Sequence, residues 1–346
     1  MTDPDRHIEL ANVSVVFRTG GALSHGHTTA LRQVSLALPA RKTLGLVGES
    51  GSGKSTLAKV LAGLVKPTSG TVTFADGRSS GGRPGFRQLV GQNPRWALNP
   101  QLRVWRSVAE PLAIARTPRA ARRTTAEEML QAVGLPREFG NRYPHQLSGG
   151  QLQRAAIARA LVSKPGLVVF DEAVSALDVS VQVQTINLIK DLQIKLGFAA
   201  LFISHDLPAI RYAADEIAVL YHGMLMHVAP SAAFYDRVYH PYSLALQAAG
   251  TNDRTVSLRE DPPDPERSAA SDSGCPLAGR CPFAIALCNA ERPELRNIHG
   301  QDTACHRAEE LAEADDPTQL VTAAPPPPPP SNEPRRSPQS HRATNR

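Results

Sequence analysis

The first segment with residues suited to chemistry is 48–56, which reads GESGSGKST and fits the pattern G-x-x-x-x-G-K-[ST]. A short apolar run precedes it and a helical pattern starts near Lys54, which is the setting that a phosphate-binding loop requires. Its glycines let the backbone wrap around phosphates, and the helix end adds partial positive charge. We expect Lys54 to contact the β- and γ-phosphates and Ser55 to ligate Mg²⁺. The other nucleotide-binding residues predicted in this loop are Gly48, Ser50, Gly51, Gly53 and Thr56.

Two adjacent carboxylates, Asp171 and Glu172, follow the apolar run at 167–170. Such a run is typical of a strand buried on both faces of a parallel sheet, and ligands bind at the carboxyl ends of such strands. We therefore predict that Asp171 holds Mg²⁺ and that Glu172 polarises an attacking water. A pair of acidic caps opening the next helix is the alternative, which the upstream phosphate loop disfavours.

A third candidate segment is 147–151, which reads LSGGQ. Ser148 suits a helix N-cap, and Gln151 stands three positions later, which is the spacing of a capping box. Gly149 and Gly150 leave the first helical turn bare, and a bare helix end can receive a phosphate. An ordinary capped helix would also explain this segment.

The elements that must position these residues alternate between strand and helix, which indicates an α/β fold. Strands are predicted at 8–17, 31–38, 44–47, 71–74, 167–170 and 199–203, and helical patterns from about 54, across 107–160 and at 179–196. The composition becomes polar after about residue 246. We expect a linker over 247–270, a Cys-rich segment over 271–308 and a disordered tail over 309–346, which contains six consecutive prolines.

The bulk composition restricts the class of protein. The chain has 346 residues, 41% of them hydrophobic, and a formal net charge of +6. Its arginines are scattered, so we interpret the basic excess as a solvated surface and expect no nucleic-acid partner. No run approaches 18 apolar residues, and the polar, acidic start does not resemble a signal peptide. We expect a cytoplasmic protein.

The segment 147–151 resembles the signature of ABC ATPases, and the other motifs follow in that family's order. Gln92 resembles the Q-loop glutamine, Asp178 stands in a D-loop-like segment at 175–178, and His205 resembles the switch histidine. The resemblance implies an ABC ATPase domain over 1–246, with a mixed sheet core, an antiparallel β subdomain and a helical subdomain at about 94–163. A small Cys-rich C-terminal extension follows.

The resemblance also implies roles for individual residues. Glu172, His205 and Gln92 are expected to be catalytic, and Mg²⁺ would be held by Ser55, Gln92 and Asp171. ATP would be sandwiched between two such subunits, because the signature of one faces the phosphate loop of the other. The expected nucleotide contacts outside the phosphate loop are Ser148, Gly149, Gly150, Gln151, Asp178 and Phe17, with Ser148, Gly150 and Asp178 acting across the interface. Phe17 would stack on adenine, although a strand phenylalanine in the core is an equal alternative.

Several segments resemble the oligopeptide and dipeptide importers within that family, among them 92–100, 110–112, 171–180 and 240–243. This resemblance implies an ATPase that energises peptide uptake from the cytoplasmic face of the cell membrane. The implied partners are two integral-membrane permease subunits, an extracytoplasmic substrate-binding protein and a second ATPase subunit, with a heterodimer favoured over a homodimer. Import of nickel or another small solute is the alternative. A non-transport ABC ATPase is disfavoured, because the chain has neither two ATPase domains nor a long coiled-coil insertion.

All the cysteines lie in the C-terminal segment, at Cys275, Cys281, Cys288 and Cys305. In a reducing compartment, clustered cysteines suggest metal ligation rather than disulfides. The importer resemblance implies a [4Fe–4S] cluster held by these four thiolates. A zinc site remains an alternative, with His306 beside Cys305, and so do unligated thiols.

Overall fold

The computed structural model describes residues 6–19, 26–74, 85–175, 177–251, 256–259 and 273–321. The strands are β1 (Arg6–Thr19), β2 (Gly26–Pro39), β3 (Thr43–Val47), β4 (Ser69–Phe74), β5 (Arg87–Val90), β6 (Leu167–Asp171), β7 (Ala199–Ile203), β8 (Glu216–Tyr221), β9 (Met224–Pro230), β10 (Arg296–Ile298) and β11 (Gln301–Thr303). The helices are α1 (Lys54–Leu61), α2 (Val104–Val108), α3 (Glu110–Ile114), α4 (Arg119–Ala132), α5 (Gly149–Leu161), α6 (Val179–Leu196), α7 (Leu207–Ala213), α8 (Ser231–Asp236), α9 (Pro241–Thr251), α10 (Ala286–Ala290) and α11 (Ala308–Glu313).

The core is an eight-stranded mixed sheet with the order β10-β11-β9-β8-β3-β7-β6-β5. The five strands from β8 to β5 run parallel, whereas β8, β9, β11 and β10 pair antiparallel. Every residue of β3 and β7 is buried. This burial explains their continuous apolar sequences, because a parallel sheet is covered on both faces. The predicted α/β core is confirmed.

A separate antiparallel sheet has the order β2-β1-β4. Its apolar side chains share a core with α1 and with one face of the main sheet. The strand predicted at 31–38 is present, but its side chains do not alternate regularly between the two faces, because both Leu31 and Val34 are buried. Gln33 between them has φ +50°, and the pairing with β1 shifts at this point. A bulge therefore changes which face the side chains occupy. The antiparallel β subdomain is confirmed.

The helices α2 to α5 lie between β5 and β6 and pack in the second large core. The pattern expected to be helical over 107–160 is interrupted by short 3₁₀ turns at Arg137–Asn141 and Pro144–Gln146. Pro136 and Pro144 explain the interruptions, because proline disfavours helical geometry at the preceding residue. The helical subdomain is present, and its limits at 94 and 163 stay a prediction.

The C-terminal part is more ordered than its composition suggested. Helix α9 continues to Thr251, and Leu258 packs against the main core, although both lie in the predicted linker. Helix α11 and a 3₁₀ turn at Pro317–Leu320 lie in the segment expected to be disordered. Leu311 is buried there, and Arg307 donates a hydrogen bond to the carbonyl of Leu320. The expectation of disorder was wrong for 309–321, and the rest of the tail, with its six prolines, lies outside the described residues.

The extension is joined to the core by a buried polar network. The hairpin β10–β11 pairs with β9 and so lengthens the main sheet. On β9, the ring of His227 contacts Ser243 Oγ through Nδ1 at 2.9 Å and Gln301 Oε1 through Nε2 at 2.8 Å. His240 lies beside it, with 6.3 Å between the ring centres. The network ties α9 and β11 to the main sheet.

This network predicts a loss of stability in acid. Burial lowers the pKa of His227 to about 4, against the ordinary histidine value of 6.5, and also lowers that of His240 to about 3. In the unfolded chain His227 is protonated below about pH 6.5, whereas in the folded chain it is protonated only below about pH 4. The free energy of unfolding therefore decreases as the pH falls from about 6.5 to about 4. For His227 the loss between pH 7 and pH 5 is about 2 kcal/mol. Denaturant unfolding at both pH values should show a smaller decrease for His227→Gln, and an equal decrease would contradict this assignment.

Within the described residues, every helix is too short or too polar to cross a membrane.

Candidate functional site

The candidate site lies along one edge of the main sheet. Because β3, β7, β6 and β5 are parallel neighbours, their carboxyl ends meet at the same edge. The segments that follow these ends are the phosphate loop after Val47, His205 after β7, the two carboxylates at the end of β6, and Gln92 after β5. Residues that lie between positions 48 and 205 of the sequence are thereby brought together along one edge of the sheet. Ligands bind at this edge in open α/β sheets.

The glycines of the phosphate loop are required by the fold of this chain. Gly48 has φ +149° and Gly53 has φ +106°, conformations that residues with a side chain rarely adopt. A Cβ atom at Gly48 would lie 2.1 Å from the carbonyl oxygen of Leu220, and one at Gly53 would lie 2.6 Å from that of Ala30. The loop is also closed by a hydrogen bond from the Gly223 amide to the Ser52 carbonyl.

Lys54 folds back into its own loop. Its Nζ donates to the carbonyl of Gly48 at 2.8 Å, to that of Glu49 at 2.6 Å and to Ser52 Oγ at 3.3 Å. Burial lowers the pKa of Lys54, while the charges of Glu172, Asp171 and Glu49 oppose this shift. The ammonium group thus lies inside the phosphate loop, at the start of α1, where the charges of Asp171 and Glu172 act on it. There it can exchange its carbonyl partners for phosphate oxygens.

The two carboxylates form an electrostatically unfavourable pair. Burial, and then the charge of Glu172, raises the pKa of Asp171, and Lys59 and Lys54 compensate only in part. A divalent cation would relieve the repulsion between the two groups. Mg²⁺ commonly binds one or two carboxylates plus substrate phosphates, so Asp171 with the Ser55 hydroxyl is a donor set that fits this ion.

Glu172 is held in an unusual conformation. Its φ is +52°, its amide donates to the Ile203 carbonyl at 3.0 Å, and its own carbonyl accepts from the Ser175 hydroxyl at 2.8 Å. The Glu172 Oε1 atom lies 3.6 Å from His205 Nδ1. A strained backbone at a candidate catalytic carboxylate is consistent with a role in positioning, and the sequence did not signal it.

The signature segment forms the predicted capping box. Ser148 Oγ accepts from the Gln151 amide at 3.4 Å, and Gln151 Oε1 accepts from the Ser148 amide at 3.0 Å. Among the described residues beyond α5's own backbone and the neighbouring positions, a Cβ atom at Gly149 would meet no atom within 4 Å, and one at Gly150 would meet only Val181, at 3.7 Å. The start of α5 is therefore open to an external ligand.

Asp178 has a role that the sequence analysis did not foresee. It caps α6 by accepting from the Val181 amide at 3.0 Å, and its carboxylate also accepts from the Ser180 hydroxyl at 2.7 Å. These hydrogen bonds, that of Ser180 first, lower the pKa of Asp178. The capping role is compatible with a contact to a second subunit, because the side chain is exposed.

Two predicted nucleotide contacts, Phe17 and Gln92, are exposed side chains. Phe17 is 41% exposed near the end of β1, so it is not a core residue. Its stacking on adenine stays a prediction. Gln92 is exposed between β5 and a 3₁₀ turn at Pro94–Ala97, and Trp96 in that turn is 88% exposed.

The four cysteines surround one cavity in the extension. All four thiols are unpaired, and His240 and His306 line the same cavity. Burial raises the pKa of Cys275 and of Cys305 to about 12, so these groups are thiols unless a cation is present. His306 already contacts the carbonyl of Glu291 through Nε2, at 2.9 Å. In the described part of the chain, no group of three or more His, Cys, Asp or Glu side chains is arranged to hold a metal ion.

Comparisons with known proteins agree with this geometry. The model of the ABC transporter family matches residues 31–175. The chain is 40% identical to the di/tripeptide transport ATP-binding protein DppF of Pseudomonas aeruginosa (strain UCBPP-PA14), over 89% of this chain and 97% of that protein. It is also 40% identical to the putative oligopeptide transport ATP-binding protein YkfD of Bacillus subtilis (strain 168), over 80% and 89% respectively.

Among solved structures, the chain is similar to a dimeric ATP-binding cassette, MJ0796, bound to ADP and Pi. The TM-score is 0.57 at 30% identity, and the match covers 65% of this chain and 98% of that cassette. The fold, the arrangement of the motifs along one sheet edge and these similarities lead to one conclusion. This chain belongs to the ABC transporter family, as one of its ATP-binding subunits.

Proposed function

We propose that the chain hydrolyses ATP to energise the import of peptides across the cytoplasmic membrane. The names of the relatives support peptides over nickel or another small solute, because DppF and YkfD are named for di/tripeptide and oligopeptide transport. The proposed partners are two permease subunits, an extracytoplasmic binding protein and a second ATPase subunit, preferably a different chain. The subunit would lie at the cytoplasmic face of the membrane.

In the proposed chemistry, the residues at the sheet edge have three roles, which are phosphate binding, Mg²⁺ binding and activation of the attacking water. The amides of the phosphate loop and Lys54 bind the β- and γ-phosphates. Ser55, Asp171 and Gln92 would hold Mg²⁺, which would supply positive charge to the phosphates. Glu172 orients the attacking water and accepts its proton. His205 contacts the γ-phosphate and, 3.6 Å from Glu172, keeps that carboxylate in place.

The contrast between two kinds of glycine carries the proposal that two subunits share each ATP. Gly48 and Gly53 are required within this chain, because a Cβ atom at either would collide with backbone oxygens. Gly149 meets no such obstacle in its own chain. The fold of the chain therefore does not require a glycine at position 149. A helix start without side chains is suited to bind the phosphates of an ATP that is held by another subunit.

Substitution of Gly149 by alanine tests this sharing. We expect Gly149→Ala to leave ATP binding by the isolated chain unchanged and to reduce ATP turnover by the assembled importer at least about tenfold. Gly279→Ala is the matched control, because a Cβ atom there also meets nothing within 4 Å. Full turnover by the Gly149 variant would contradict the shared site.

The assignment to peptide import is tested on the whole complex. The importer would be purified through this subunit, its partners identified, and uptake of labelled dipeptides measured in vesicles that contain ATP. ATP-dependent dipeptide uptake that is lost in the Gly149→Ala complex supports the proposal. Uptake of nickel but not of peptides would favour the alternative cargo.

We further propose that the cysteine-lined cavity holds the [4Fe–4S] cluster that the importer resemblance implies. The support is that Cys275, Cys281, Cys288 and Cys305 line a single cavity, and that buried thiols gain a favourable partner when a cation is bound. Zinc and unligated thiols are the alternatives. Iron and sulfide analysis of anaerobically purified protein, together with its visible absorbance, distinguishes the three.

A further inference from the structure

The Cys-rich extension makes direct contact with the phosphate loop. Arg280, which immediately precedes Cys281, places Nη1 2.8 Å from Oε2 of Glu49, the second residue of the loop. The two residues are 231 positions apart in the chain. The Arg280 side chain is 18% exposed and that of Glu49 is 41% exposed, so the ion pair is partly shielded from water.

A second contact holds the same loop residue. The backbone amide of Glu49 donates to the hydroxyl of Tyr242 at 2.8 Å, and Tyr242, on α9, is fully buried. Arg280 also contacts the hydroxyl of Tyr221 at 3.3 Å, and the rings of Tyr221 and Tyr242 are packed with 4.8 Å between their centres. Both the side chain and the amide of Glu49 are therefore fixed by residues outside the loop.

Glu49 is well placed to affect nucleotide binding. Its carbonyl is one of the groups that hold Lys54 Nζ, and its charge acts on the Lys54 ammonium. If its carboxylate lost Arg280, the guanidinium charge 2.8 Å away would no longer offset this negative charge beside the phosphate loop. That charge would repel the phosphates of ATP, and the first turn of the loop would lose one of its two anchors.

We propose that Arg280 is a positioning residue of the ATP site, through which the Cys-rich extension neutralises and fixes Glu49. The inference rests on the proposed function, since it concerns the affinity of that site for nucleotide. Arg280 belongs to a tight turn in which its amide and that of Cys281 both donate to the carbonyl of Leu277. The extension is accordingly a part of the nucleotide site.

The test is a double-mutant cycle on the full chain. It measures the Kd for Mg-ATP by calorimetry, and KM and kcat in the assembled importer. For Arg280→Gln we expect a Kd and KM raised about tenfold with kcat within about twofold, because binding rather than chemistry is affected. For Glu49→Gln we expect less than about a threefold change, since no charge remains to repel the phosphates. The double variant should match Glu49→Gln, which would show that the two side chains act as a pair.

Arg296→Gln is the matched control. Arg296 lies in the same extension but pairs with Glu309, so its loss should leave Kd and KM unchanged. An unchanged Kd in Arg280→Gln, or a lowered melting temperature with unchanged Kd, would overturn the inference while leaving the proposed function intact. Additive effects in the double variant would overturn it as well. A wild-type chain that bound no Mg-ATP would overturn both.

Discussion

Glu172→Gln is expected to abolish ATP turnover, with a decrease in kcat of about 10² to 10⁴, while ATP binding is retained. Glutamine is nearly isosteric with glutamate but cannot accept the proton of the attacking water. The backbone contacts that hold residue 172, to Ile203 and Ser175, do not depend on the carboxylate and should persist. The geometry of the site should therefore survive, and only the chemical step should be lost.

The same variant should accumulate as a closed, ATP-bound assembly. If the charge of the γ-phosphate holds two ATPase subunits together, a site that cannot hydrolyse ATP cannot release that contact. Size-exclusion chromatography with Mg-ATP, alongside a phosphate-release assay on the assembled importer, measures both effects. Glu128→Gln is a suitable control, because Glu128 is an exposed residue of α4 and is not among the predicted site residues. Wild-type turnover by the Glu172 variant would refute the assignment of the catalytic carboxylate.

Lys54→Ala is expected to weaken Mg-ATP binding by about 10² or more, since it removes a charge-assisted contact to the phosphates. The effect should lie in affinity because Lys54 Nζ is the cation at the centre of the phosphate loop, within reach of two loop carbonyls. The substitution also removes one of the two lysines whose charges lower the pKa of Asp171, while the other, Lys59, remains.

Calorimetric titration with Mg-ATP measures this loss directly. Lys66→Ala serves as the control, because Lys66 is exposed and lies beyond the end of α1. Circular dichroism of the nucleotide-free variant excludes misfolding as the cause. Tight binding of Mg-ATP by Lys54→Ala would contradict the phosphate loop interpretation.

Together with Arg280, these variants separate three contributions to one site. Glu172 is expected to affect the chemical step, Lys54 the direct contact with phosphates, and Arg280 the conformation and charge of the loop that makes this contact. The last of these links the cysteine-lined cavity to the ATP site through one ion pair. Loss of this ion pair, as in Arg280→Gln, is therefore expected to lower nucleotide affinity.

The amino-acid sequence by itself determined the local features of this protein. The phosphate loop, the buried strand that ends in two carboxylates and the capping box at Ser148 are encoded within a few neighbouring residues, so spacing and residue type sufficed to predict them. The strongly apolar strands β6 and β7 were recognised for the same reason, because burial on both faces leaves a continuous apolar run.

The tertiary structure decided what depends on contacts between distant segments. The order β3-β7-β6-β5 collects the motifs at one edge, and no local pattern specifies that order. The pairing of Glu49 with Arg280 and the folding of 309–321 onto the core likewise depend on where the extension docks. The proline-rich composition of 309–346 predicted a tail that buries no core. A few buried side chains such as Leu311, together with the contacts of Arg307, nevertheless order 309–321 against the core.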